Sequence, residues 1–541
     1  MSLWPLLRLA LEGVAPGGRL DLAIVAGAFA RPQTWVALRH TLATAIAGTV
    51  LSLAIGGTIA LTIGLTDIRG KALLVFAFML PLLIAPQVTA LAWLQVFGPS
   101  SPLLAAIGIA PAPGSPNPLH GPGGIALLLG LQHAPLVFLT LRAGLRGLPR
   151  ELIEAAESAG AGRTRILTTV ILPLMMPSLA AGAMLALTSA IGNFGIPALL
   201  GIPGGYTVLT TLIYQRLAGF GPAVLSEVAA LSLLLGGIVI AGITLQGWLL
   251  RGEARLIPEG GARTLWPLGR WRRPIEVASW SFLALVLVLP LASLVATSLT
   301  PAYGVRLTWK GSTLEHYAYV LFEHGATRRA FRNSFALAAG AALALMAVSS
   351  LLGYFIAWRG SRLARLTGYV ADIPYALPGV VLAVAMILIF LKPLPILGIS
   401  LYNTLWIIFA AYLARFLPIA LRPAVAGYRQ LDRALEEAAE SAGAGFFRRW
   451  LEVILPLVAP AAAAGAILVF LISFSELTVS ALLWSAGAET VGVILFALEQ
   501  GGDSVSAAAV AVLTVIATVA AMAAGWFFSR RLPPGILPWQ A

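Results

Sequence analysis

A string of nine residues, Glu-Ala-Ala-Glu-Ser-Ala-Gly-Ala-Gly, runs from Glu154 to Gly162 and recurs unchanged from Glu437 to Gly445, 283 residues further on. Pro173 and Pro177 follow the first copy, and Pro456 and Pro460 follow the second at the same shift. A register kept over that span is no accident of packing, so the chain is a tandem duplication of a unit of roughly 250 residues. Whatever it folds into is built twice, and function is to be sought in the part that both copies keep letter for letter.

The solvent of that fold follows from composition. Of 541 residues 59% are hydrophobic and only 11% charged, with a mean hydropathy of +0.91, whereas about a quarter of a soluble domain is charged. Apolar stretches long enough for a spanning helix lie at 41–65, 72–97, 124–145, 168–191 and 223–250, then at 277–299, 334–358, 367–391, 401–421, 453–474 and 506–528. The place of a sixth span in the first half holds only Leu3 to Leu11, read as a shortened first helix such as a misplaced start codon would leave. The expected fold is an all-α integral membrane protein of two pseudo-symmetric halves with about 12 transmembrane helices. Residues 1–250 form the first repeat, 251–275 a basic linker and 276–541 the second repeat. No cleavable leader is evident at the start.

The net charge of +13 is not gathered into an aromatic-lined basic patch, which argues against nucleic acid. The cations lie in alternate loops. Arg142, Arg146, Arg150, Arg163 and Arg165 bracket the first nonapeptide, Arg422, Arg429, Arg433, Arg448 and Arg449 the second, and the linker carries six Arg against two Glu. The segment 99–123 has no Lys or Arg. The positive-inside rule then places both nonapeptides, the linker and both termini in the cytoplasm. Arg328, Arg329 and Arg332 fall on the opposite side, where a short interfacial helix is expected. Trp266 and Trp271, beside Arg270, Arg272 and Arg273, read as interfacial anchors of a solvated tether.

Within each nonapeptide Ala and Gly keep bulk low, while Glu154 and Glu157, or Glu437 and Glu440, put charges at i and i+3 on one helix face. Gly160 with Gly162, and Gly443 with Gly445, permit a sharp turn before the next span, and Pro173 and Pro456 are expected to bend that span where it begins. Such a segment suits close approach to another protein.

This pattern resembles the cytoplasmic "EAA" loop of the inner-membrane permeases of type I ABC importers. The resemblance covers nearly the whole chain and implies the fused subclass, typified by ferric-iron importers, with thiamine and aminoethylphosphonate systems as relatives and polyamine import as a further alternative. It implies a permease of a bacterial inner membrane that is no enzyme itself and takes substrate from a periplasmic binding protein. It implies two copies of an ATPase subunit that hold ATP and magnesium, with no cofactor on this chain. The coupling residues carried over are Glu154, Ala155, Ala156, Glu157, Gly160 and Gly162, then Glu437, Ala438, Ala439, Glu440, Gly443 and Gly445. The stretches Asn193 to Gly201 and Ser475 to Trp484 resemble iron-type permeases at these positions.

Candidate pathway residues are fewer. Asn193 and Glu476 share the 283-residue shift, and a carboxylate at membrane depth is costly unless it faces water or a partner or caps a broken helix. Pro81 with Pro86, and Pro374 with Pro378, mark helices broken in matching spans, which brings Gln87, Asp372 and Tyr375 into consideration. Zero Cys and five scattered His leave no ligand spacing, so no permanent metal site is expected. The string from Gly64 to Ala72 misses the phosphate-binding loop by spacing and by Ala where Ser or Thr must hold magnesium. A secondary transporter driven by an ion gradient would need in-membrane carboxylate relays and no docking loops; an intramembrane enzyme would need a catalytic constellation, which is missing.

Overall fold

The computed structural model describes residues 4–15, 22–112, 114–219, 224–249, 266–360, 362–393 and 398–529. Most of the linker, with Gly260 and Gly261, and the Arg530 and Arg531 terminus lie outside the described residues. Among the described residues nine helices are long and apolar enough to cross a membrane, and two bent pairs bring the number to eleven. Each apolar stretch read from the sequence is represented in this set. The first helix, Trp4–Val14, has 11 residues, about 16 Å at 1.5 Å per residue, roughly half the thickness of a bilayer core.

The broken spans lie where the paired prolines put them. Lys71–Leu83 and Pro86–Ala106 meet at 100°, and Leu366–Ala376 and Gly379–Phe390 at 106°. The second proline of each pair makes the break. Pro86 opens the resumed helix, where its missing N–H costs nothing, and Ala85 before it is extended, as a residue preceding proline must be. Pro378 stands just ahead of Gly379 in the same role, while Pro81 and Pro374 are tolerated inside their helices.

Two compact units divide the chain. One holds Pro32–Leu212 and Leu235–Leu294; the other holds Met1–Arg31, Ile213–Leu234 and Val295–Ala541. The repeat is a matter of sequence and the unit a matter of packing, and they cut the chain at different places.

Each unit is built on three helices related by the repeat: Pro32–Leu65, Pro122–Arg146 and Arg163–Ile191 in one, Gly325–Tyr354, Leu405–Gln430 and Phe446–Phe474 in the other. Small residues let their backbones approach closely, as in other membrane helix pairs. A Cβ on Gly56 would fall 2.4 Å from the Ala134 carbonyl oxygen, and one on Gly465 would fall 2.9 Å from that of Ala420. Ser52 donates across the first seam to the Gly130 carbonyl at 2.8 Å.

Two local expectations are corrected. The helix Gly325–Tyr354 starts ahead of Arg328, Arg329 and Arg332, so these lie in its first turns and not in a separate interfacial helix. Arg329 pairs with Glu489 at 3.2 Å, which satisfies the charge within the fold. The spans after the nonapeptides begin at Arg163 and Phe446, well before Pro173 and Pro456. Each proline follows a π-helical stretch, Leu167–Ile171 or Arg449–Ile454; this wider turn takes up the hydrogen-bond register that proline disrupts.

Candidate coupling site

The first nonapeptide lies on the helix Arg150–Ser158 and the second on Ala434–Ser441. Both helices end in one hydrogen-bond pattern. Gly160 donates its N–H to the Glu157 carbonyl at 2.9 Å and Ala161 to that of Ala156 at 3.0 Å; Gly443 donates to Glu440 at 2.9 Å and Ala444 to Ala439 at 3.0 Å. This is the Schellman closure, which needs a left-handed residue, and Gly160 and Gly443 supply it with φ of +78° and +82°. Gly162 and Gly445 have ordinary extended backbones, and a Cβ on either would meet nothing within 4 Å. Both are the N-caps of the helices that follow, where Gly is one of several suitable residues, and neither φ nor internal packing demands it.

Leu152 and Leu435, again at the 283-residue shift, are both exposed. So are Glu154, Ala155, Glu157, Ala438, Glu437 and Glu440, while Ala156 and Ala439 turn partly inward. Two short helices thus present the same small-residue and acidic face, each with one leucine.

Behind that common face the supports differ. Under the first helix Ile153 and Ile166 are buried in an apolar cluster with Leu145, Leu148, Ile171 and Trp266. The equivalents of Leu145, Ile153 and Ile166 are Tyr428, Glu436 and Arg449. There the Tyr354 hydroxyl donates to Glu436 at 2.5 Å, and Arg449 pairs with Glu440 at 2.6 Å. The Trp450 indole donates to the Tyr428 hydroxyl at 3.2 Å, inside an aromatic cluster with Tyr354 and Trp358. An aliphatic seat has become a hydrogen-bonded one, with all three positions changed together. The hydrogen bond and charge of Arg449 hold the Glu440 carboxyl below its ordinary range.

Asn193 and Glu476 occupy one local role. The Asn193 side-chain oxygen accepts the Ile196 N–H at 3.1 Å, ahead of the helix Gly195–Leu200. The two Glu476 oxygens accept Val479 N–H at 2.7 Å and Ser480 N–H at 3.1 Å, ahead of Ser480–Leu483. Both side chains are buried, and both satisfy the N–H groups that a helix start leaves open.

Gln87 is buried beside this turn, its side-chain oxygen 3.2 Å from where a Gly195 Cβ would stand. Asp372 pairs with Arg422 at 3.3 Å, and Tyr375 is exposed.

The equivalent pair Gln132 and Arg415 escaped sequence reasoning. Gln132 Nε2 donates to the Pro81 and Ile84 carbonyls at 2.5 and 3.2 Å, which tie down the end of the broken helix. The Arg415 guanidinium packs against Gly379, 1.6 Å from where a Cβ would stand, at the break in the second half. An arginine inside an apolar span was the available signal.

A helical membrane protein that repeats one exposed, glycine-closed segment per half has the make-up of a duplicated permease. The family described as "Binding-protein-dependent transport system inner membrane component" matches residues 65–255 and 349–536, one nonapeptide in each match, and the chain belongs to it. A probable ABC transporter permease protein of Sinorhizobium fredii is 29% identical over 484 residues, 87% of this chain and 83% of that one. A ferric transport system permease protein of Actinobacillus pleuropneumoniae is 27% identical over 437 residues, 77% of this chain and 60% of that one. An Fe(3+)-transport system permease protein of Haemophilus influenzae is 26% identical over 487 residues, covering 88% and 87%.

Proposed function

We propose that this chain supplies both permease halves of an ABC importer for ferric iron, in a bacterial inner membrane with both termini in the cytoplasm. Two copies of a separate ATPase subunit, which hold ATP and magnesium, dock on the exposed faces of Arg150–Ser158 and Ala434–Ser441. A periplasmic binding protein delivers the cargo, and the chain holds no resident cofactor or metal. One observation carries this reading: both segments close by the same Schellman pattern, then reach a glycine that sits in open space with an unstrained backbone. A helix N-cap that stays Gly in both copies although a larger side chain would meet nothing inside the chain fits a surface that another protein must approach closely. Iron as cargo is supported by what the relatives from Actinobacillus pleuropneumoniae and Haemophilus influenzae are named to transport.

Closure of the ATPases on ATP would draw the two segments together, and the helices from Arg163 and Phe446 would carry that movement into the membrane. The test is reconstitution in proteoliposomes with the ATPase subunit and binding protein. Iron uptake that requires ATP is the expected result. Uptake driven by an ion gradient without ATP overturns the class; ATP-dependent uptake of thiamine, aminoethylphosphonate or a polyamine in place of iron overturns the cargo alone.

A further inference from the structure

The last residues of the linker do not hang free as a tether. Trp266 is 9% exposed and lies in the apolar cluster that seats Ile153 and Ile166 beneath the first coupling helix. Its backbone N–H donates to the Leu65 carbonyl at 2.9 Å, and its indole N–H points to Glu157 of the nonapeptide at 3.4 Å. Arg163, at the start of the helix that follows the nonapeptide, donates to the Pro267 carbonyl at 3.2 Å. The next residues are fixed as firmly. Leu268 N–H donates to Asp67 at 2.8 Å, and Arg272 pairs with Asp67 at 3.0 Å. Hydrogen bonding from Leu268, together with the Arg272 charge, holds the Asp67 carboxyl below its ordinary range despite the opposing effect of burial. Gly269–Ser298 then continues as the helix that opens the second repeat. The second coupling helix has its own support in Tyr354, Tyr428 and Arg449, as a single linker can strap only one of the two segments.

We infer that Trp266 to Arg272 is a strap that positions the first coupling helix and joins it to the helix opening the second repeat, so that one ATPase stroke is delivered to two membrane helices. The inference rests on the coupling function proposed above. Trp266 and Arg163 are positioning residues that act through the nonapeptide. The strap and the coupling helix should move as one body. Severing them would waste ATP.

In proteoliposomes with the ATPase subunit and binding protein, Trp266→Ala is expected to lower iron transported per ATP hydrolysed by about fivefold, the order of factor that one lost hydrogen bond is worth, while the ATPase subunit still co-purifies. Should Trp266→Ala unfold, Trp266→Phe with Arg163→Gln keeps the apolar filling, removes two polar contacts and carries the same expectation. An unchanged ratio in the severed variant overturns the strap. Failure of the unmodified chain to retain the ATPase subunit would instead remove the coupling reading beneath it.

Discussion

At the scale of single residues, four glycines in the two nonapeptides divide into two kinds that the sequence does not separate. Gly160 and Gly443 are bound by their own backbone, since a left-handed conformation costs an ordinary residue roughly 1–2 kcal/mol. Replacing either by Val is expected to distort the turn and raise ATP hydrolysed per substrate moved, while membrane insertion stays normal; matched hydrolysis and transport assays in vesicles check it. Gly162→Ala and Gly445→Ala should lower thermal stability by less than about 1 kcal/mol, because neither φ nor space opposes a methyl group and only the helix N-cap preference disfavours it. Weaker retention of the ATPase subunit in pull-downs is the expected consequence. The coupling segments were legible as candidates because a repeated string is local information. The partners beneath them were not: Tyr354 and Trp266 lie far along the chain from the side chains they hold. Asn193 and Glu476 were legible as a pair, and the cap each forms is short-range, but a single sequence does not tell a capping oxygen from one that faces a pore.

At the scale of helices, membrane packing depends on where small residues face. Gly56 and Gly57 are neighbours in one helix, yet a Cβ on Gly56 would fall 2.4 Å from a backbone oxygen, and one on Gly57 would meet only a Leu141 methyl at 3.8 Å. Gly56→Ala is expected to destabilise by about 1–3 kcal/mol, as overpacked cores do, and Gly57→Ala to be neutral or stabilising by about 0.4–1 kcal/mol; thermal unfolding in detergent separates them. The Arg449–Glu440 tie has a pH signature. Because the Glu440 carboxyl is held below its ordinary value of 4.5, its contribution is present above that value and is lost as pH falls through the depressed one. The stability gap between the parent chain and Glu440→Gln should therefore be steady at neutral pH and close only below about 4.5. The spans and their proline breaks were legible since length, hydropathy and proline chemistry act within one stretch of chain. The π-helical stretches before Pro173 and Pro456 were not, and neither was the continuation of Gly325–Tyr354 through three arginines, whose charge is answered in part by Glu489, distant in sequence.

At the scale of the whole molecule, two seats of unlike construction imply that each can be disabled alone. If each segment seats one ATPase as proposed above, native mass spectrometry of the detergent-purified Gly443→Val assembly should find a fraction with one ATPase copy beside the intact two-copy form; equal loss of both copies would mean that the seats are not independent. The division into compact units sets an order for biogenesis. The helix Trp4–Val14 packs on Gly379–Phe390 within one unit, and the body that begins at Pro32 is completed by residues up to Leu294. A ribosome moving along this message releases the opening helix long before its neighbour exists, and it must begin the second repeat before the first body can close. Synthesis as one continuous polypeptide guarantees that the late pieces arrive beside the early ones, and the insertion machinery has to shelter unfinished helices until they do.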